Sequence, residues 1–465
     1  MDHVELNCVE LNQNEQIRRI SREYDFVVHT FGCKVNTYDT GLIQKNLTNN
    51  GFSVVKKKSE GPVIHVLNTC AVTAEATQQA VRLIRKIKSK EPMATVVVTG
   101  CAAQVDTGAF ENLTAADLVV ANSHKGMLPQ IIDQYFKNEN KQKVFKSNIF
   151  KKEDLEADGG QELSHTRSFL KIQDGCNSFC AFCIIPYARG KSRSIPISQI
   201  VYKAKELCAQ GIKEIVLTGV HIGDYEDMVG GKKRQIEDLV ESVLNQTSVQ
   251  RVRLSSLEPI ELSDRLLDLY QDDRLCPHFH MSIQSADTEV LHQMKRKYSD
   301  KEVRESLERI QSKVKNAYVG MDVIAGFPTE TDEQFENTYR LLSETPWTRL
   351  HVFPYSERKG TRAAVLEQIP MMKRKERAQR LRELSLHRLQ SEALKQVGLV
   401  KSSLVLNKHS DGVQALSRDY WNLNLNLTAE EHAHIRNTEV LAVVESVSTG
   451  DTDVILHARR IENAQ

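Results

Sequence analysis

The sequence predicts an α/β protein in three parts: an N-terminal parallel α/β domain, a central partial (β/α)6 barrel and a small all-β barrel at the C-terminal end. Two observations predict it. Short β-rich runs alternate with helical stretches over most of the 465 residues, which is the pattern of parallel sheets with crossover helices. Beyond residue 390 that alternation gives way to short strands separated by turn residues.

Residues 1–22 read as a polar N-terminal extension. From 23 to 138 the runs "DFVVHT", "PVIHVLN", "ATVVVTG" and "ADLVV" predict a small parallel sheet. Residues 139–165 are charged and carry a double glycine, so they predict a linker. Six strands follow in 166–390: "RSFLKIQDG", "KEIVLTG", "RVRLSSLEP", "HFHMSIQS", "VGMDVIAGFP" and "RLHVFPYS". Six units fall short of a closed eightfold barrel, and an open arc leaves one side for a large substrate. A basic helix over Lys373–Leu389 closes this part. In 391–465, "SSLVLNK", "VQALSR", "LNLNLT", "TEVLAVVESVS" and "TDVILHARR" predict the small barrel.

Composition narrows the function classes. Lys+Arg (62) and Asp+Glu (61) nearly cancel, so a polyanionic partner must be held by local patches. The opening "MDHVELNCVELNQNEQIRR" has no basic region followed by an apolar run, so no signal peptide is expected. No apolar stretch approaches a membrane span, and a cytoplasmic protein with no membrane partner is expected. Nine scattered cysteines argue against a disulfide framework and towards metal or catalysis.

The cysteines form two sets of three. Cys33, Cys70 and Cys101 are far apart in sequence, yet each follows the C-terminal end of a predicted strand. In a parallel sheet those ends share one edge, where ligand sites gather. A lone cysteine is usually a buried small apolar residue. Three in one structural context predict a shared metal site. Cys176, Cys180 and Cys183 lie together in "DGCNSFCAFCIIPYARG", after the first strand of the arc. Thiolates suit both zinc and iron–sulfur clusters, so ligand type alone leaves both open.

The CxxxCxxC spacing, with Phe182 just before the third cysteine, resembles the radical S-adenosylmethionine (SAM) motif. The preceding three-cysteine domain and a terminal barrel like a TRAM domain extend the resemblance to the methylthiotransferases, over about Tyr24–Arg460. "FGCKVNTYDT", "LTGVHIGDY", "RLSSLEP" and "HFHMSIQS" resemble the branch acting on N6-threonylcarbamoyladenosine in tRNA. Alternatives are the branches acting on isopentenyladenosine or on a ribosomal-protein aspartate. A non-enzymatic alternative is a zinc-stabilised RNA-binding protein.

The resemblance implies two [4Fe–4S] clusters. One, on Cys176, Cys180 and Cys183, leaves an iron open to chelate SAM and delivers the electron that cleaves it. The other, auxiliary cluster, on Cys33, Cys70 and Cys101, holds the sulfur that is methylated and transferred to C2 of the adenine. SAM contacts are expected from Phe182 and from residues at successive strand ends: Thr218, Gly219, Ser256, Glu258, Gln284, Ile324 and Gly326. Turn chemistry alone also accounts for several of these. The implied partners are a tRNA whose adenosine next to the anticodon is modified and an electron donor of flavodoxin or ferredoxin type. Two residues depart from the family: Ala286 and Thr329 stand where glycine is usual. Cys8, Cys208 and Cys276 match no ligand position and are expected to be structural or incidental.

RNA contact is expected from basic runs. The segment Lys373–Arg388 has seven Lys/Arg against two Asp/Glu, and Arg82–Lys90 is another. Arg189, Lys191 and Arg193 are candidates for phosphate or carboxylate groups. From Ser391 onwards the chain has seven Lys/Arg against ten Asp/Glu, so any role of the terminal barrel in RNA binding is expected from stacking on Tyr420 and Trp421.

Overall fold

The structure, a computed structural model, describes residues 24–55, 62–152, 155, 166–406 and 414–461. Cys8, the extension 1–22 and residues 156–165 of the expected linker lie outside the described residues. The chain divides into two compact units.

The first unit comprises the described parts of Met1–Gln161 together with Asp174–Asn177 and Cys183–Arg193. Its sheet contains β1 (Asp25–Thr30), β2 (Ser53–Val54), β3 (Val63–Thr69), β4 (Thr95–Gly100), β5 (Leu118–Ala121) and β6 (Val144–Phe145), in the order β2-β1-β3-β4-β5-β6. Every pairing is parallel. The central runs "VIHVLNT" and "TVVVTG" are nearly continuously buried, as expected where helices cover both faces. Alternate residues serve opposite faces. Val97 packs with Ile43 and Leu47 of α1 (Lys34–Asn49). Val96 and Val98 pack with Ala80 and Ile84 of α2 (Ala74–Lys90). The edge pairs β2 and β6 were not legible in the pattern, since two residues carry no periodicity; β6 falls within the stretch read as a linker.

The second unit holds the arc and the terminal barrel. Six parallel strands, β7 (Arg167–Lys171), β8 (Glu214–Thr218), β9 (Arg251–Leu254), β10 (His278–Gln284), β11 (Tyr318–Ala325) and β12 (Arg349–Pro354), coincide with the six predicted. They form two three-stranded sheets, joined where Leu257 pairs with Met281. Five strands, β13 (Val400–Val405), β14 (Ala415–Ser417), β15 (Asn422–Leu425), β16 (Glu439–Thr449) and β17 (Val454–Arg460), close a barrel in the order β13-β14-β15-β17-β16. That part is not wholly β. A helix over Ala429–Ile435 separates β15 from β16, started by a capping box between Thr428 and Glu431. The T-x-x-E signal stands in the sequence.

Two expectations for RNA contact fail on burial. The basic helix α3 (Met371–Leu394) directs Arg374 and Arg377 inward. Arg377 donates to Glu330 at 2.6 Å and to Asp332 at 2.8 Å. Arg374 donates to the carbonyls of Ile369 and Tyr355 and to Glu357. Both arginines anchor the helix and neither is open to phosphate. Trp421 sits in the barrel core, edge-on to Tyr318, and Tyr420 stacks on His278 with ring centroids 3.7 Å apart. Each aromatic is already engaged within the fold.

A buried carboxylate ties the arc together. Glu214, at the start of β8, stands in register with Arg167 of β7 and Arg251 of β9. It accepts from Arg167 at 2.5 Å and from Arg251 at 2.9 Å, and pairs with Arg253 at 3.0 Å. Burial opposes the charge of Glu214, but the three guanidiniums hold its carboxyl well below the usual range. Arg251 and Arg253 then reach the barrel, donating to the carbonyls of Leu416, Ser417 and Arg418.

Removing Arg251 leaves Glu214 with two of its three guanidiniums and also takes the donor from Glu439 and from the Leu416 carbonyl, so several buried polar groups lose a partner at once. Arg251→Ala should lower stability by about 3–5 kcal/mol, read from urea unfolding. The unfolded chain takes up a proton on Glu214 that the folded chain refuses. This contribution is therefore present above a pH of about 4.3 and lost as the pH falls below it.

Candidate functional site

In the first unit, Cys33 precedes α1 and follows β1, Cys70 follows β3, and Cys101 follows β4. These are the C-terminal ends of three neighbouring strands. Cys33 is exposed, whereas Cys70 and Cys101 are buried. Glycines bring the backbone close. Gly32 has φ +90°, and a Cβ there would lie 2.6 Å from the Cys70 sulfur. Gly100 has φ +95°, and a Cβ there would lie 2.5 Å from the backbone of Thr69. A side chain at either position is thus excluded by both space and conformation.

The electrostatics bind the set together. Burial, then the neighbouring Cys101 and Cys33, push the Cys70 thiol up to about 12. At neutral pH Cys70 therefore does not ionise unaided. A bound metal supplies the positive charge that deprotonates coordinating thiols, so these residues fit an iron–sulfur cluster. Asn122 donates to the Cys101 sulfur at 3.6 Å and to the Ala188 carbonyl at 2.9 Å.

The segments around the second cysteine set that belong to this unit are also tightly held. Cys176 donates its amide to the Gly190 carbonyl. Gly175 has φ +76°, and a Cβ there would overlap the Lys191 carbonyl at 1.9 Å. Arg189 corrects an expectation: it is buried rather than presented to a ligand. Its guanidinium donates to Asp174 at 2.8 Å, Asn36 at 2.6 Å and Asp39 at 3.0 Å. Lys125 donates to the same Asp39 oxygen at 3.0 Å. Arg193 donates to the carbonyls of Lys152 and Arg189, which leaves Lys191 as the exposed member of the three.

In the second unit, Cys180 is buried, and Ala181 beside it donates its amide to the Met294 carbonyl. Phe182 and Ile324 pack against the same apolar cluster, formed by Ala181, Val290, Met294, Phe327, Tyr355 and Ala363. The other candidates for SAM contact stand at successive strand ends. Thr218 ends β8, with Gly219 next, where a Cβ would lie 2.9 Å from the Gln173 side-chain oxygen. That oxygen accepts from the amides of Val220 and His221. Ser256 Oγ lies 2.5 Å from His280 Nδ1. Gln284 ends β10 with φ +63°, just past a register shift. Gly326 has φ +73° and lies against α3, where a Cβ would meet Arg374 at 2.7 Å, so helix packing alone requires a glycine there. Of the departures from the family, Thr329 takes φ +70°, a left-handed conformation that explains why glycine is usual.

Sequence reading missed Arg296. It donates from Nη1 to the Cys180 sulfur at 3.2 Å and to Glu258 at 2.8 Å, and from Nη2 to the Ser282 carbonyl at 2.6 Å. In sequence it is one basic residue in "MKRKY", with nothing to separate it from a solvated surface arginine. His221 was also missed; its Nε2 lies 2.5 Å from Glu261 and 3.4 Å from Glu258. Burial pushes the Glu258 carboxyl up, against the opposing pull of Arg296 and His221.

The family described as the radical SAM superfamily matches residues 170–342, and that described as uncharacterized protein family UPF0004 matches residues 25–121. The threonylcarbamoyladenosine tRNA methylthiotransferase MtaB of Rickettsia prowazekii is 38% identical, over 82% of this chain and 87% of its own. The protein of the same name from Aquifex aeolicus is 36% identical, over 82% and 92%. The tRNA-2-methylthio-N(6)-dimethylallyladenosine synthase of Ehrlichia ruminantium is 31% identical, over 78% and 83%. Among solved structures, the radical SAM methyltransferase TsrM of Kitasatospora setae aligns with a TM-score of 0.56 at 13% identity, over 74% of this chain and 77% of that one. That likeness concerns the fold alone. Among the described residues, no helix is long and apolar enough to cross a membrane.

Exposure orders the reactivity of the first cysteine set. In metal-free protein under non-denaturing conditions, iodoacetamide should label Cys33 first and Cys70 and Cys101 at least tenfold more slowly, read by peptide mass spectrometry. Reconstitution with iron and sulfide should protect all three.

Proposed function

The chain belongs to the methylthiotransferase family of radical SAM enzymes, and from that premise we propose that it methylthiolates C2 of N6-threonylcarbamoyladenosine at tRNA position 37, giving 2-methylthio-N6-threonylcarbamoyladenosine. The observation that carries the reading is the combination, in one chain, of a CxxxCxxC loop with three further cysteines at adjacent strand ends. A radical SAM domain implies a [4Fe–4S] cluster and SAM. Our reading assigns that cluster to Cys176, Cys180 and Cys183 and a second, auxiliary one to Cys33, Cys70 and Cys101. When bound, they supply respectively the electron that cleaves SAM and the sulfur that is transferred.

The chain's own residues do the rest. Phe182 and Ile324 offer an apolar wall to the SAM adenine. Gly219 offers backbone without a side chain, and Thr218, Ser256, Glu258 and Gln284 offer polar groups to its ribose and amino-acid ends. Gly326 serves the same region through the backbone. For tRNA, Arg85, Lys86 and Lys90 on α2 and Lys375 on α3 are exposed and available to phosphate. An electron donor of flavodoxin or ferredoxin type, a cytoplasmic location and domain limits at 23–138, 166–390 and 391–465 belong to the same proposal. The zinc-stabilised RNA-binding alternative is set aside, because the radical SAM match identifies an enzyme.

Because the two cysteine sets have separate tasks, they should fail differently. Each Cys→Ala change should remove about four irons per chain if its cluster is lost. Anaerobic turnover with dithionite is followed by 5′-deoxyadenosine and by the tRNA nucleosides. Cys176→Ala should yield neither 5′-deoxyadenosine nor product. Cys70→Ala should still release 5′-deoxyadenosine but give no methylthiolated nucleoside. Product from Cys70→Ala at the parent rate would remove the auxiliary site from the reaction. Substrate choice is tested on tRNA lacking the threonylcarbamoyl group, where a site built for that group leaves polar partners unpaired and turnover should fall at least 100-fold. Equal turnover of isopentenyladenosine tRNA would reassign the branch and leave the chemistry standing.

A further inference from the structure

We propose that Arg296 sets the reduction potential of the iron–sulfur cluster on Cys176, Cys180 and Cys183, as a positioning residue acting through the Cys180 sulfur. The inference rests on the ligand assignment above and adds a residue with no role in it.

Arg296 is held more firmly than a stabilising contact needs. Its side chain is 6% exposed. Nε donates to the Tyr298 hydroxyl at 2.8 Å, Nη1 to the Cys180 sulfur at 3.2 Å and to Glu258 at 2.8 Å, and Nη2 to the Ser282 carbonyl at 2.6 Å. Tyr298 in turn donates to the Ser282 and Ile283 carbonyls. The guanidinium plane is thus fixed from several sides, with one N–H directed at a sulfur. A permanent cation donating to a ligand sulfur stabilises the form of the cluster that carries the extra electron, which raises its potential. Arginine suits the task because it keeps its charge when buried and its rigid fork matches several acceptors at once. Glu258, on the same nitrogen, partly offsets that charge.

The test uses full-length protein in which Cys33, Cys70 and Cys101 are replaced by alanine, so that one cluster remains. After anaerobic reconstitution the cluster is titrated potentiometrically with dithionite, and the reduced form is followed by electron paramagnetic resonance. Arg296→Gln should move the midpoint to a more negative potential, and Arg296→Lys should move it the same way by less. An unchanged midpoint in Arg296→Gln overturns the inference. Should Arg296→Gln bind no iron, Arg296→Lys decides, and a midpoint equal to the parent's overturns it. A parent that binds no iron sinks the ligand assignment itself, and the inference with it; that outcome is separate from an unmoved potential.

Discussion

The ion cluster around Glu214 is the constraint on which the second unit depends. One carboxylate, fully buried at the start of a central strand, receives guanidiniums from the strands on either side. Sheet register is a discrete choice, and a slip of one residue turns every side chain to the opposite face. A slip here would also strand a buried charge, which is far costlier than a lost apolar contact. The same strands end at Thr218 and Leu254, just before Ser256 and Glu258, so correct register at one end of the arc aligns the candidate SAM contacts at the other. The polar network therefore specifies as well as stabilises.

In the first unit the governing constraint is space. Two glycines in left-handed conformation let the chain turn against the Cys70 sulfur and the Thr69 backbone. Buried Asp39 receives both Arg189 and Lys125. Burial disfavours the ammonium of Lys125, and the adjacent carboxylate sustains it. With Asp174 as the second acceptor of Arg189, two buried cations face two buried carboxylates and the network is balanced.

Much of this was legible in the sequence, for identifiable reasons. The four runs expected in the first sheet, the six in the arc and the five in the small barrel are all strands, because period and length announce them. The cysteine sets were legible because position after a strand converts distant residues into neighbours along one edge. Charge was read least well. Arg374, Arg377 and Arg189 look like surface cations in one dimension, and only tertiary partners reveal that they are buried. The acceptor of Arg189 at Asp39 lies 150 residues away in the chain. Arg296 escaped for the same reason. Tyr420 and Trp421 misled in the other direction: aromatic residues offer themselves equally to nucleobases and to a core, and sequence does not say which arrived first.

The manner in which Arg251 and Arg253 hold the terminal barrel has a consequence for how the protein can vary. Their acceptors at Leu416, Ser417 and Arg418 are main-chain carbonyls, which every amino acid possesses. At those carbonyls the barrel side of the joint is anonymous, and the contact itself does not dictate which residue supplies it. Two barrel side chains are inscribed in the joint as well: Glu439 accepts from Arg251 at 2.8 Å, and Arg418 donates to the carbonyls of Gln250 and Asp273. A barrel taken from a distant homologue should thus be graftable onto this arc without matching Leu416 and Ser417, provided it follows the same path and keeps the Arg418 and Glu439 side chains.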